Sequence, residues 1–345
     1  MTEINFRSDN VATVSPEILE ALARANQGPA ASYGDDDWSK ALDRAFSALF
    51  ETDVSVFPVA TGTAANALGL AAAVRPYGAI FCHEHAHIHT SEGAATEAFT
   101  GGAKLLPLRG EGFRLSADGL GQALACADWG VRNRAQPDAV SITQASEHGT
   151  VYRLDELAAL GELARSAKIT FHMDGARFAN ALATLGCSPA EMSWRRGVDI
   201  LSFGATKNGA MNSEAIVVFD PALVEPLSYR LRRAGQTWSK MRFAAAQLLA
   251  YVEDGLYLRS ATRANALAGR LGAAMAAVPG VSLLAPVEAN LVFLAMAPKR
   301  VDALIAGGVR VARRSPGVIR LVTRFDGLEA DVDRFVALAK QIAAT

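Results

Sequence analysis

Cysteine is scarce in this chain. Three are spread over 345 residues, Cys82, Cys126 and Cys187, an odd number at wide spacing. That pattern argues against a disulfide framework and against a cysteine-built metal site. Long apolar runs are missing too. Even AIVVF at 215–219 stops after five residues, short of the roughly 20 needed to span a bilayer. The opening MTEINFRSDN has no basic-then-apolar leader pattern. Nor does one charge dominate: 34 Lys and Arg face 35 Asp and Glu, which leaves no surplus for displacing counterions from nucleic acid. Repeats and low-complexity tracts are absent, although alanine is plentiful. The expectation is a globular protein of the cytoplasm with neither a membrane nor a nucleic-acid partner. Half its residues are hydrophobic, enough for a sizeable core and for an enzyme.

What is present is alternation. Short apolar runs interleave with longer segments of helical spacing, the mark of an α/β protein with a mostly parallel sheet. Strands are predicted at 54–60, 79–83, 103–108, 139–143, 169–174, 199–204 and 215–220. Helices are predicted at 63–74, 116–128, 153–167 and 176–186, with Asp155 and Glu156 favouring the start of the third. A long helical stretch over 239–278 breaks near Asp254-Gly255 and ends at Pro279-Gly280. Beyond it, VSLLAP, LVFLAM, VRVARR and IRLVTRF read as strands without intervening helices, followed by a last helix at 329–343. This change of pattern predicts a large domain over 1–250, with its seven-stranded sheet flanked by helices, and a smaller α+β domain over 251–345.

Three local patterns carry chemistry. In FGATKNG, Lys207 stands just beyond a buried-type strand, either as an ordinary loop lysine or as a Schiff-base amine whose pKa falls on desolvation. In VATGTAANALGL, Gly62, Thr63 and Ala64 would offer free amides and a hydroxyl at a helix N-terminus, an anion site suited to phosphate. In ITFHMDGARFAN, Asp174 ends an apolar run with no partner acid beside it, and serves either as a helix cap or as the partner of a pyridinium nitrogen. Phosphate turn, acid and lysine in this order point together to pyridoxal phosphate, with both strand ends on the ligand-collecting edge of the sheet.

Four histidines crowd CHEHAHIHT, namely His83, His85, His87 and His89. Alternation of this kind invites a metal-dependent hydrolase, but only His148 and His172 remain to complete a ligand set, and no matched carboxylate stands out. No metal is therefore assigned, and one of these rings is instead a candidate to stack on a cofactor. Ser8 in RSDN, with Arg320 or Arg324 in GVIRLVTRF, would suit an α-carboxylate, which favours a planar guanidinium.

Taken together, RSDN, YGDDDW, TGTAANAL, AHIHTSE, HMDGARFANA, SFGATKNGA and IRLVTRF resemble, in order and along nearly the whole chain, the threonine aldolase family of fold-type I pyridoxal-phosphate enzymes. The segments TQASEHGTVY, LGCSPAEM and SKMRF are similar to its low-specificity L-threonine aldolase and L-phenylserine aldolase branch. The resemblance implies that Lys207, next to Thr206, binds the cofactor covalently, that Asp174 holds the pyridine nitrogen and that His87 stacks on the ring. It places Gly62, Thr63 and Ala64 at the phosphate, and Ser8, Arg177 and Arg320 at the substrate carboxylate, with Arg177 also near the ring hydroxyl. Tyr33 and Arg242 would reach a neighbouring subunit's site, in a homodimer or homotetramer with shared active sites.

The implied reaction is cleavage of a β-hydroxy-α-amino acid to glycine and an aldehyde, with β-elimination or transamination as rivals. A catalytically silent amino-acid sensor is disfavoured by the presence of the lysine and its supporting groups. One departure concerns the acid/base group. Where many members of the family carry Thr-His-Asn-Gly, this chain reads SEHG, so Glu147, His148, His87 and an ordered water all stay open as the base.

Overall fold

The computed structural model of the chain describes residues 3–344. In chain order its strands are β1 (Ile4–Asn5), β2 (Ser55–Val59), β3 (Gly78–His83), β4 (Lys104–Leu108), β5 (Gln136–Thr143), β6 (Thr170–Gly175), β7 (Ile200–Phe203), β8 (Glu214–Val218), β9 (Val281–Leu283), β10 (Leu291–Met296), β11 (Val309–Arg310), β12 (Ala312–Ser315) and β13 (Val318–Val322). The seven from β2 to β8 form one sheet in the order β2-β8-β7-β6-β5-β3-β4. Each lies within three residues of its expected position. Neighbours from β7 to β4 pair in parallel, while β8 runs antiparallel to both β7 and β2.

The apolar runs account for this sheet. Val140, Ile142, Phe171, Met173, Ile200 and Leu201 are all buried, as strands covered on both faces require. The helix Gly62–Ala73 is made almost entirely of small residues and leucine, so it can lie close to the sheet; a Cβ at Gly69 would stand 3.2 Å from Ile200 Cδ1. The long helical stretch is two helices, Arg242–Val252 and Leu256–Ala276, parted at Glu253–Gly255, where Asp254 and Gly255 adopt φ of 49° and 68°. The second helix starts in the core beside the large sheet, through Leu256, Tyr257 and Ala261, and ends in a separate core through Leu267, Leu271 and Met275.

That separate core lies against the antiparallel sheet β12-β13-β10-β9. It also takes in the chain's beginning: β1 pairs in parallel with β11, and the Phe6 ring packs edge-on to Phe335 at 5.6 Å. The expectation of strands without intervening helices fails here, because Pro298–Ala306 is helical between β10 and β11. Pro298 at its first turn, buried Val301 and Leu304 at helical spacing, and Gly307-Gly308 at its end are ordinary start and stop signals hidden in a short segment.

Three contacts draw the strand ends together. Asp9 is 1% exposed and accepts from Arg177 Nε at 2.8 Å, Arg177 Nη2 at 3.0 Å and Asn290 Nδ2 at 3.1 Å. It thereby ties the N-terminal segment to the end of β6 and the start of β10. Gly204 donates its amide to Gly175 O at 3.0 Å, and a Cβ on Gly204 would fall 2.7 Å from Ala176 Cα and closer still to its carbonyl oxygen, so the loops after β6 and β7 meet only because glycine stands there. His172, fully buried on β6, bridges the Ser141 hydroxyl of β5 at 2.8 Å and the Ser202 hydroxyl of β7 at 3.1 Å.

Two stability outcomes follow. Asp9→Ala leaves a buried guanidinium unpaired and should cost about 3–5 kcal/mol, measured by urea unfolding; a loss under about 1 kcal/mol would show the pair to be dispensable. Burial pushes His172 down to about 4 from an ordinary value near 6.5. The unfolded chain therefore takes up this proton first, so the stability tied to a neutral His172 is present above pH 6.5 and lost between there and pH 4. The stability difference between wild type and His172→Gln should shrink by up to about 3 kcal/mol over that range, and a difference independent of pH would contradict it.

Candidate active site

The turn after β2 runs into the helix Gly62–Ala73. Thr61 caps that helix, its hydroxyl accepting from the Ala64 amide at 3.1 Å. Of the three expected anion-binding residues, Ala64 therefore already spends its amide on the cap. The amides of Gly62 and Thr63 are left for a guest, and a Cβ on Gly62 would meet nothing within 4 Å. Thr61 went unremarked in the sequence, although a threonine three residues before a helical amide is a common cap signal.

Asp174, 3% exposed at the end of β6, accepts from two neutral donors, Ala176 N at 2.9 Å and Asn66 Nδ2 at 2.9 Å. Its carboxylate has no ion pair among the described residues. The helix that follows is Phe178–Leu185 with Arg177 at its cap position, so Asp174 is not the helix cap. The other Asn66 N–H goes to Glu92 Oε1 at 2.8 Å, and His87 Nδ1–H donates to that same oxygen at 2.7 Å. Asp174, Asn66, Glu92 and His87 thus form one hydrogen-bonded row. Its hydrogen bond to Glu92 raises the His87 pKa, while desolvation raises that of Glu92.

Lys207 stands on the single turn Thr206–Asn208 beyond β7. The turn is anchored on all sides: Asn208 Nδ2 donates to Tyr251 Oη at 2.7 Å and Tyr257 O at 2.8 Å, Ala205 N to Glu214 Oε2 at 2.6 Å, and Thr206 Oγ1 to Ser213 O at 3.4 Å. Lys207 itself, half-buried, makes no hydrogen bond or ion pair among the described residues. Its charge acts on Asp9 and Glu214.

The two arginines differ. Arg177 gives the Nε and Nη2 edge of its guanidinium to Asp9, so any further anion would have to meet it elsewhere than on that edge. Arg320, on β13, donates only Nη2, to Arg7 O at 3.3 Å, and its Nε is buried without a partner. Burial and the nearby Arg177 and Arg314 pull its pKa down to about 10. Arg324, the alternative, is paired with Asp326 at 2.9 Å. Ser8 accepts from Asn10 N at 3.2 Å and caps a short turn next to Asp9.

Glu147 and His148 sit in a loop that Ser146 and Thr150 close by a hydroxyl–hydroxyl bond of 2.7 Å, with Gly149 at φ 83°. Glu147 acts on His87, Arg177 and Arg320. His148 is sandwiched between Phe113, 3.4 Å between centroids, and Phe293, 4.5 Å, and burial pushes it down to about 4. His85 stands beside both His148, 5.4 Å between ring centroids, and His83, 5.6 Å. His83 spends its two nitrogens on Gly110 O and the His85 amide, and His87 to Thr90 form a helical turn rather than a strand. Among the described residues no group of three His, Cys, Asp or Glu is placed to hold a metal ion. Exposed Tyr33 packs under Arg232 at 4.9 Å and lines a cavity of about 450 Å³, while Arg242 donates to Gly28 O at 3.2 Å. Among the described residues no helix is long and apolar enough to cross a membrane.

Comparison with known proteins agrees with this geometry. The family model described as beta-eliminating lyase matches residues 5–298. A low-specificity L-threonine aldolase of Pseudomonas aeruginosa is 44% identical over 98% of this chain and 96% of its own, and another, from a Pseudomonas species, is 43% identical over 96% of each. The structure of a threonine aldolase from Leishmania major superimposes with a TM-score of 0.91 at 26% identity, covering 98% of this chain and 99% of that one. With the sheet order and the Asp174–Lys207 arrangement above, these likenesses place the chain in the beta-eliminating lyase family of fold-type I pyridoxal-phosphate enzymes, among its threonine aldolases.

Proposed function

We propose that this protein cleaves L-β-hydroxy-α-amino acids, threonine, allo-threonine and phenylserine among them, to glycine and an aldehyde, reversibly. The observation that carries the reading is the Asp174 carboxylate, buried on two neutral donors, with an unpaired lysine just beyond the neighbouring strand. Pyridoxal phosphate fits this set. Gly62 and Thr63 offer amides to its phosphate, Asp174 an acceptor to its ring nitrogen, His87 a half-exposed imidazole to its face and Lys207 an amine to its aldehyde, with Thr206 alongside. When bound, the cofactor supplies an electron sink for the pair left on Cα as the Cα–Cβ bond breaks.

The chain's own work is to orient substrate and move protons. Arg320, whose buried Nε lacks a partner, and Ser8 take the substrate carboxylate, while Arg177, held by Asp9, adds positive potential behind them. Fixing the carboxylate decides which bond at Cα stands ready to break. A proton leaves the β-hydroxyl during cleavage, and of the side-chain candidates Glu147 and His87 suit this better than His148. Aromatic rings cover both faces of His148, and its depressed pKa makes it a poor acceptor near neutrality. We further infer a homo-oligomer in which Tyr33 and Arg242 serve a neighbouring site, supported by the exposure of the Tyr33 ring and by the buried, unpartnered Nε of Arg242. A cytoplasmic setting is supported by three cysteines that are all unpaired.

Incubation with L-threonine, L-allo-threonine and both phenylserine diastereomers should release glycine and aldehyde in equal amounts. Ammonia or a keto acid as the main product would replace aldol cleavage by elimination or transamination. Borohydride should fix the cofactor to wild-type chain and not to Lys207→Ala, and fixation in the variant would move the covalent role elsewhere. Arg320→Ala should raise KM for amino acids by roughly 30-fold or more with cofactor affinity little changed. An unaltered KM removes Arg320 from the carboxylate site.

A further inference from the structure

We propose that Asn66 and Glu92 are positioning residues, forming a relay that keeps the Nδ1 proton of His87 on the Glu92 side and couples that imidazole to the Asp174 carboxylate. The inference rests on the functional reading above only in taking His87 and Asp174 as the groups that meet the cofactor ring.

Three separate elements meet in the relay. Asn66 stands one turn inside the helix Gly62–Ala73, Glu92 follows the helical turn His87–Thr90, and Asp174 ends β6. The single Asn66 amide group divides its two N–H bonds between the two acids, 2.8 Å to Glu92 and 2.9 Å to Asp174. Neither carboxyl could share the other's donor without it, and two unbridged acids in this space would repel. Glu92 is the more telling member. Its side chain is 0% exposed, it accepts from both His87 and Asn66 through Oε1, and its Oε2 is buried with no partner, as is Asn66 Oδ1.

Burying a carboxyl with one oxygen unsatisfied costs stability, and packing alone would be served better by an apolar side chain. What Glu92 does accomplish is to fix a ring: with Nδ1–H committed to Glu92, the neutral imidazole has its lone pair on Nε2, and the plane of His87 is set from its far edge. The charges acting on His87 come from three directions, Glu92 in its own loop, Glu147 in the loop after β5 and Asp174 on β6, and all are acids that favour the protonated ring. Desolvation alone works against it. Glu92 in turn is pushed towards its neutral form by burial and by Asp174, and its bonds to His87 and Asn66 restrain that push.

The test is NMR titration of isotope-labelled histidine in the holoenzyme, with His87 assigned by comparison with His87→Gln. In wild type the His87 midpoint should lie above the ordinary value near 6.5, and the ring should carry its proton on Nδ1 at higher pH. Glu92→Gln should lower the midpoint by at least about one unit, admit the Nε2–H tautomer, and reduce kcat roughly 10- to 100-fold with KM changed less than about two-fold. A wild-type midpoint at or below the ordinary value overturns the proposal, as does an Nε2–H tautomer at high pH. Both are read on wild type, so the proposal stays falsifiable even where Glu92→Gln fails to fold. A folded Glu92→Gln with an unmoved midpoint overturns it equally. If His87 titrates as stated while no aldehyde is released from any substrate, the relay stands and the reaction assignment falls.

Discussion

A carboxylate removed from water needs donors to replace the water, and at Asp174 the protein supplies two N–H groups and, among the described residues, no ion-pair partner. Each donor is tied to a larger element. Ala176 N is available because the chain turns immediately after Gly175, and that turn is possible because Gly204 lets the neighbouring loop pass within backbone contact. Asn66 projects from the helix whose first turn offers the Gly62 and Thr63 amides. The acid, the anion-binding turn and the lysine loop are therefore spaced by one packed unit. A shift in any of the three would break a hydrogen bond to a buried charge.

The positive side of the site follows from the same economy of charge. Arg177 lies close enough to Arg320 to depress its pKa, and a buried pair of guanidiniums is unfavourable unless acids answer it. Asp9 answers Arg177 with both oxygens, and its own pKa stays low despite burial because Arg177 and Lys207 surround it. Nothing among the described residues answers Arg320 at Nε. On the proposed reading an anionic guest relieves what the protein leaves uncompensated, with Arg177 as scaffold and Arg320 as receptor. This division needs the N-terminal segment, the end of β6 and the strands β10 and β13 together, since Asp9, Arg177, Asn290 and Arg320 come one from each.

Much of the fold was legible because parallel strands buried on both faces leave uninterrupted apolar runs, and all seven runs lie where strands stand. The break at Asp254-Gly255 was readable for a similar reason, since both residues tolerate the left-handed conformation found there. The reversed direction of β8 was not readable, because a run of five apolar residues carries no direction. Within the candidate site, Lys207 and Asp174 stood out as exceptions to local pattern, whereas spacing alone did not choose between Arg320 and Arg324. Asp9, Asn66 and Glu92 did not stand out, being common residue types whose partners are distant: Asp9 meets Arg177 168 positions away, and Asn66 meets Asp174 108 away. Tertiary hydrogen bonds at such separations leave no trace in spacing.

The loop SEHGT shows how far two adjacent residues can part. Ser146 and Thr150 close it through backbone and hydroxyl bonds, Thr150 Oγ1 also holds Gly112 O at 2.5 Å, and Gly149 fits between the turn and Leu291 only without a side chain. Glu147 acts on the charged cluster, whereas His148 enters a stack whose outer ring, Phe113, adopts φ 64° to lie flat upon it. Left-handed backbone at a phenylalanine is unfavourable, so the stack must stabilise more than it strains. On the proposed reading a histidine fixed in that way is a wall, and the acid one residue earlier, whose charge acts on His87 and both arginines, is the group through which this loop responds to a substrate's charge and protons.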